Sequence, residues 1–251
     1  MGGHQKRFRW LLNNILLLED GERAIDVGCG SGLYITIPLI LEISKMERKI
    51  IVEGVDISDI SIEYAKKNAL AEDIDTTLFQ CKNIYEIEQE YDAVICSEVL
   101  EHLRDEELIK FCSKLVMMVK HGGELLITVP NGKGSYEKGV IWWNRFQCML
   151  DSKMIKKLRK VLRKNRGKTE QCQPMTVSDS PHIQFFDCET IVKMFESRGM
   201  KLNYFTGSNR FYNNFFDAFV PRINVLMKIN NILGDRYPRK AAGYYFRFVK
   251  E

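Results

Sequence analysis

The sequence predicts an α/β fold: a doubly wound, mostly parallel sheet of seven strands. Three observations predict it. Short apolar runs alternate with helical segments of about 10–17 residues, the rhythm of βαβ units. One run, YDAVICS (91–97), is apolar almost throughout, as a strand covered on both faces must be. The first run ends in DVGCGSG (26–32), where glycines crowd the turn from a strand into a helix.

Taken in order, the periodicity predicts a helix over 5–18 with Phe8, Leu11, Leu12, Ile15 and Leu16 on one face. RAIDVG (23–28) is the first strand. A helix over 33–44 follows, with Pro38 in its first turns, where a missing N–H is tolerated. KIIVEGVD is the second strand and ends at Asp56. Ser58 caps a helix to Leu70 that buries Ile62, Ala65 and Ala69. TTLFQC (76–81) is the third strand and YDAVICS the fourth. Asp105 is expected to cap a helix carrying Leu108, Phe111, Cys112, Leu115, Val116 and Val119, which Gly122 and Gly123 end. ELLITVP (124–130) is the fifth strand. Asp187 caps a last helix with Ile191, Val192 and Phe195 inward and Gly199 at its end. KLNYFTG and AGYYFRFV close the sheet.

The 251 residues suit a single domain, 1–251, with two segments outside the βαβ rhythm: 131–186 and 208–241. Both are too long for plain loops, so helices covering the site are expected there. The first holds Trp142, Trp143 and a basic helix over 153–168. The second is rich in aromatics: Phe211, Tyr212, Phe215, Phe216 and Phe219. Nine of the 37 basic residues lie between Ser152 and Thr169 without an acid; the other 28 face 33 acids, so the rest of the chain carries −5. Any attraction to an anionic substrate or a peripheral anionic membrane surface therefore belongs to 153–168, the bland alternative being a solvated helix face. No apolar run reaches the ~18 residues of a membrane span. The start, MGGHQKRFRWLLNN, lacks a small-residue cleavage site, so no secretory signal is expected. Seven cysteines without a C-x-x-C pair point to a reduced, cytoplasmic protein.

In open α/β sheets ligands bind beyond the carboxyl ends of the strands, where DVGCGSG lies. Gly28 allows a tight exit from the strand, Gly30 a close backbone approach, and Gly32 an early helix start. The third glycine comes two positions after the second, not three, which argues against a dinucleotide; no G-K-[ST] follows, which excludes a P-loop. Asp56 ends the second strand, where a carboxylate can take both ribose hydroxyls. Asn83 follows the third strand, and Ser97 and Glu98 end the fourth.

The ordered set AIDVGCGSG, VEGVDIS, FQCKNI, YDAVICSEVLEHL and GGELLITVPN resembles the class I S-adenosylmethionine-dependent methyltransferases. The resemblance covers residues 20–131 and resumes at HIQFFDCETIVKMFESRGM (182–200). It implies a Rossmann-like sheet closed by an antiparallel hairpin, with S-adenosyl-L-methionine as cofactor. It also implies roles. Asp26, Gly28, Cys29, Gly30 and Gly32 surround the methionine part; Asp56 holds the ribose and Ile57 packs on the adenine. Asn83, where the family usually has Asp, and Ile84 meet the adenine edge, and Ser97 lies near the sulfonium.

Methyl transfer mainly needs two partners held in line, with a base only where a proton must leave. Glu98, Glu101 and His102 fall within five residues, and His182 could return to the same rim. Three readings stay open. His102 or His182 is a general base that Glu98 orients. Glu98, Glu101, His102 and His182 hold a divalent metal, as in the similar metal-dependent small-RNA 2′-O-methyltransferases. Or the Glu–His pair caps a helix. The acceptor is expected to be a small or lipid-linked molecule, methylated at oxygen; no RNA-binding signature appears, so nucleic acid is not the expected partner. The alternative from another class is a cofactor-binding or RNA-binding protein without transfer activity.

Overall fold

The computed structural model describes residues 2–132, 183–210 and 224–251. The basic segment 153–168, His182, Trp142, Trp143 and the aromatic run 211–219 lie outside the described residues.

The elements are α1 (Gly2–Ile15), β1 (Arg23–Val27), α2 (Thr36–Lys45), β2 (Ile51–Asp56), α3 (Asp59–Ala71), β3 (Phe79–Cys81), β4 (Tyr91–Ser97), α4 (Asp105–Met117), β5 (Val119–Pro130), α5 (Cys188–Glu196), β6 (Met200–Gly207), α6 (Asn224–Arg236) and β7 (Gly243–Lys250). They build one seven-stranded sheet, in the order β3-β2-β1-β4-β5-β7-β6. β3, β2, β1, β4 and β5 pair in parallel; β7 runs antiparallel between β5 and β6. The sheet class, the strand count and the antiparallel closing strand agree with the expectation.

Alternation along the strands sorts the core into two layers. Val94 and Cys96 of β4, Leu125 and Ile127 of β5, and Phe246 and Phe248 of β7 face α4 and α5, meeting Leu108, Leu115, Ile191 and Phe195. Ala93 and Ile95 of β4 and Leu126 of β5 face the other way, against Leu11, Leu12 and Ile15 of α1 and Leu39 and Ile43 of α2. Each fully buried Val, Leu, Ile or Phe among them contributes about 1.5–3 kcal/mol. Ile62, Ala65 and Ala69 of α3 pack on Phe79, as their spacing predicts.

Five local expectations are corrected. The third strand keeps only Phe79–Cys81; residues 76–78 form a 3₁₀ turn, because the Asp75 carboxylate accepts the Thr77 N–H at 2.9 Å. Helix α2 begins at Thr36 rather than 33, which puts Pro38 in its first turn. Asp105 is the first residue of α4, and the cap position is Arg104. Gly122 and Gly123 do not end a helix: α4 stops at Met117, and the glycines lie inside β5, where the register against β4 shifts between Tyr91 and Ala93 and Gly122 adopts φ +76°. Helix α1 also lies three residues earlier than its hydrophobic stripe suggests.

Candidate functional site

The crevice beyond the carboxyl ends of β1, β2 and β4 collects the residues singled out from the sequence. Its floor is the glycine turn. Gly28 sits at φ +79°, and a Cβ there would lie 2.6 Å from Val99 Cγ2, so only glycine lets the turn after β1 close under the turn after β4. At Gly30 a Cβ would meet nothing within 4 Å, so the open side of the turn faces the crevice.

The N–H groups of this turn are spent inside the protein. Gly28 and Cys29 both donate to the Val55 carbonyl, at 2.8 and 3.0 Å; Gly30 donates to Asp56 Oδ2 at 2.9 Å; Gly32 donates to the Cys29 carbonyl at 3.0 Å. A pyrophosphate needs such donors free. These four N–H groups offer nothing to a phosphate, which joins the glycine spacing as an argument against a dinucleotide.

Asp56 is buried, and backbone groups orient its carboxylate: Oδ2 takes the Gly30 N–H and Oδ1 the Ser58 N–H, each at 2.9 Å. Each oxygen keeps a lone pair for a ribose hydroxyl. Beside it, Ile57 leaves 70% of its surface in water, a cost that a stacked base would relieve. Asn83 is half-buried and uses Oδ1 to accept the Tyr85 N–H at 3.2 Å; its amide N–H₂ has no role in that cap. The Ile84 side chain goes into the core, so only its backbone can line a base. These features fit a nucleoside with an apolar base contact and a ribose anchor.

Asp26 lies under the turn and accepts from Thr36 Oγ1 at 2.7 Å. Burial, with the Asp56 charge as a smaller cause, pushes its carboxyl up to about 6. Cys29 packs its Sγ against Gly54, and burial raises its thiol well above the ordinary range.

At the end of β4 a chain of hydroxyls leads to Glu98. Ser97 Oγ and Thr128 Oγ1 are 2.8 Å apart, and Thr128 Oγ1 donates to Glu98 Oε1 at 3.2 Å; Ser97 is then the donor to Thr128. Glu98 has φ +56°, left-handed backbone that costs a non-glycine residue about 1 kcal/mol or more. Its N–H donates to the Thr128 carbonyl at 2.9 Å, so the strained turn is pinned to β5.

Glu98, Glu101 and His102, though within five residues, do not share one helical face. Glu98 leaves the strand in a left-handed turn, whereas Glu101 and His102 belong to the 3₁₀ turn Leu100–His102 that follows. Glu101 is fully buried, and its carboxyl oxygens meet no hydrogen-bond partner among the described residues. Burial, and then the nearby Glu98, hold its carboxyl well above the usual range. The His102 side chain is 8% exposed, with Nε2 4.0 Å from Glu101 Oε1, too far for a hydrogen bond. Among the described residues no three His, Cys, Asp or Glu side chains gather as a metal-binding group. His182 lies outside the described residues.

The sequence reasoning missed the residues that α1 brings. Arg7 Nη1 pairs with Glu98 Oε2 at 3.2 Å. Arg7 Nη2 donates to His4 Nδ1 at 3.0 Å, and the His4 ring stacks on Tyr34, centroids 5.5 Å apart. His4 and Arg7 are one turn apart and continue the stripe of Phe8, Leu11 and Ile15 toward the helix N-terminus. No signal in the periodicity could say that this face crosses the crevice.

Comparison with known proteins agrees with this geometry. A family model described as a methyltransferase domain matches residues 18–197. The ubiquinone biosynthesis O-methyltransferase of Coxiella burnetii (strain Dugway 5J108-111) is 33% identical over 129 residues, 50% of each chain. That of Salmonella enteritidis PT4 is 32% identical over 118 residues, 45% of each. The chain thus spans about half the length of the curated relatives it matches. Among solved structures, the magnesium protoporphyrin IX methyltransferase ChlM of Synechocystis PCC 6803 with bound SAM superposes with TM-score 0.58 at 17% identity, covering 99% of this chain and 80% of that one. PKMT2 of Rickettsia typhi with AdoHcy gives 0.58 at 12% identity, over 100% and 53%. These two share the fold. With the family model matched over most of its length and the crevice fitted to a nucleoside, the chain belongs to the class I S-adenosylmethionine-dependent methyltransferases, and S-adenosylmethionine is its cofactor.

Proposed function

We propose that the protein transfers a methyl group to a hydroxyl oxygen of a small or lipid-linked acceptor, with an aromatic diol as the model acceptor. The observation that carries this reading is Glu98: a carboxylate on a strained turn at the end of β4, held by Thr128 on one oxygen and Arg7 on the other. Left-handed non-glycine residues cluster at functional sites, and Glu98, unlike Glu47 and Asp73 past the ends of helices, stands at the end of a sheet strand beside the crevice. The names of the curated relatives support oxygen as the attacked atom.

Asp56 would hold the ribose hydroxyls, Ile57 the base, and the glycine turn with Asp26 the amino-acid end. The cofactor supplies an electrophilic methyl group. The carboxylate of Glu98 accepts the hydrogen of the acceptor hydroxyl and turns an oxygen lone pair toward the crevice. That alignment accounts for most of the rate, since in-line positioning is worth several kcal/mol. His102, mostly buried in the 3₁₀ turn that follows Glu98, is the base reading's remaining described candidate. Cationic residues 153–168 would draw the protein to anionic membranes that hold a lipid-linked acceptor.

The test follows production of S-adenosylhomocysteine with a panel of catechols, from 3,4-dihydroxybenzoate to prenylated ones, with and without chelator. Turnover that Glu98→Gln lowers at least tenfold, with cofactor affinity unchanged, supports the reading. Cofactor binding without turnover on any acceptor returns the protein to the binding-only class. Loss of turnover on chelation restores the metal reading.

A further inference from the structure

Side chains of the first two turns of α1 reach along the C-terminal edge of the sheet from the turn after β1 to the end of β6. His4 lies on Tyr34, beside the glycine turn. Arg7 reaches Glu98, beyond β4. Lys6 Nζ donates to the carbonyls of Gly207, Ser208 and Asn231, at 2.8, 3.1 and 2.9 Å, and pairs with Asp235 at 2.8 Å, tying the helix to the far end of β6 and to α6.

From this we infer that Arg7 is a positioning residue for methyl transfer: it fixes the Glu98 carboxylate toward the acceptor from the opposite wall of the crevice. The inference rests on the proposed role of Glu98. An exposed ion pair would mean little, since such pairs contribute about 0–1 kcal/mol. Arg7 is not that case. Its side chain is only 13% exposed, and His4 holds the guanidinium from one side. A guanidinium only donates, so His4 Nδ1 is the acceptor; this fixes the neutral tautomer with hydrogen on Nε2 and excludes His4 as the base while the contact stands.

The two grips on Glu98 differ in kind. Thr128 belongs to the sheet and cannot move without it. Arg7 belongs to a helix that other residues hold: Lys6 beside it, and Phe8, Leu11, Leu12 and Ile15 on the core. The hold of Arg7 on Glu98 is therefore separable from the fold. Removing it frees one carboxylate oxygen, and the side chain can turn about its bond to Thr128. Misplacement of about 1 Å at a reacting group can cost about 10²-fold in rate.

The experiment compares wild type with Arg7→Gln, Arg7→Lys, Glu98→Gln and the Arg7→Gln/Glu98→Gln double variant. Three readouts are taken: turnover on the catechol panel, S-adenosylhomocysteine affinity by calorimetry, and amide hydrogen exchange over residues 5–15. Arg7→Gln should lower kcat about 10- to 100-fold and leave S-adenosylhomocysteine affinity within about threefold. Arg7→Lys should recover part of the loss. The double variant should be no slower than Glu98→Gln, because Arg7 acts through that carboxylate. Protection of α1 should be unchanged. Wild-type turnover in Arg7→Gln overturns the inference, as does a loss that parallels loss of α1 protection or that multiplies with Glu98→Gln. Absence of wild-type turnover sinks the functional reading, and this one with it; an active wild type with an active Arg7→Gln sinks this one alone.

Discussion

Asp56 accepts the backbone N–H of Gly30 at 2.9 Å, so the carboxylate that ends β2 and the turn that ends β1 hold each other. The carboxylate proposed to anchor the ribose is thereby also a brace for the loop beside it.

Asp56→Ala should weaken S-adenosylmethionine binding by about 1.5–3 kcal/mol, the range for hydrogen bonds to a charged group. Asp56→Asn should retain more affinity than alanine, because its oxygen can still accept either backbone N–H. Calorimetry on both variants checks the order; wild-type affinity in both would show that the carboxylate neither braces nor binds.

Gly28→Ala meets two costs: a Cβ 2.6 Å from Val99 Cγ2 and a left-handed backbone at φ +79°. Overpacking and strain together should destabilise the protein by about 2–4 kcal/mol. Adding Val99→Ala should restore the steric share only, leaving about 1 kcal/mol of backbone cost. Urea titration of the single and double variants separates the two.

The buried Glu101 carboxyl titrates above its ordinary value of 4.5, chiefly from burial and next from Glu98. The sign follows from linkage. A carboxyl raised on folding binds more protons in the native state, so its share of stability is complete below the unfolded value and is lost as pH rises toward the folded one. Glu101→Gln removes that loss. The melting temperature of the variant relative to wild type should therefore climb from pH 5 to pH 8.5. A flat difference would mean that the carboxyl titrates normally.

Replacing the cations of 153–168 with neutral residues should leave cofactor affinity alone and weaken sedimentation with vesicles rich in anionic lipid. The wild-type effect should shrink as salt rises, since exposed charges are screened over about 8 Å at physiological ionic strength. Salt-independent binding would leave these residues as a solvated face.

What could be read from the sequence, and what could not, follows from the range of each force. β4 and β7 show their faces directly, because alternate residues enter opposite layers. Asp56 and Glu98 were legible because strand ends place them without long-range knowledge. Residues 76–78 look like strand by composition, yet the Asp75 carboxylate closes a turn there. Gly122 and Gly123 mark a bulge in β5, which glycine serves as readily as a helix end. Arg7 was illegible for a further reason. The stripe Leu11, Leu12 and Ile15 says which side of α1 is buried, but not toward which end of the sheet its first turn runs.

Among the described residues β6 touches the sheet through β7 alone, and Thr128 of β5 lies opposite Tyr245 of β7 in the ladder. The glycine turn, Asp56 and Ile57 stand on the other half, beside β1 and β2. A partial unfolding that peels β7 from β5 would release two strands together and uncover Thr128, the sheet-side support of Glu98, while the nucleoside half kept its hydrogen bonds. On the roles proposed for these residues, methyl transfer would depend on β5 and cofactor retention on β1 and β2, so warming would silence the chemistry before the protein lets its cofactor go.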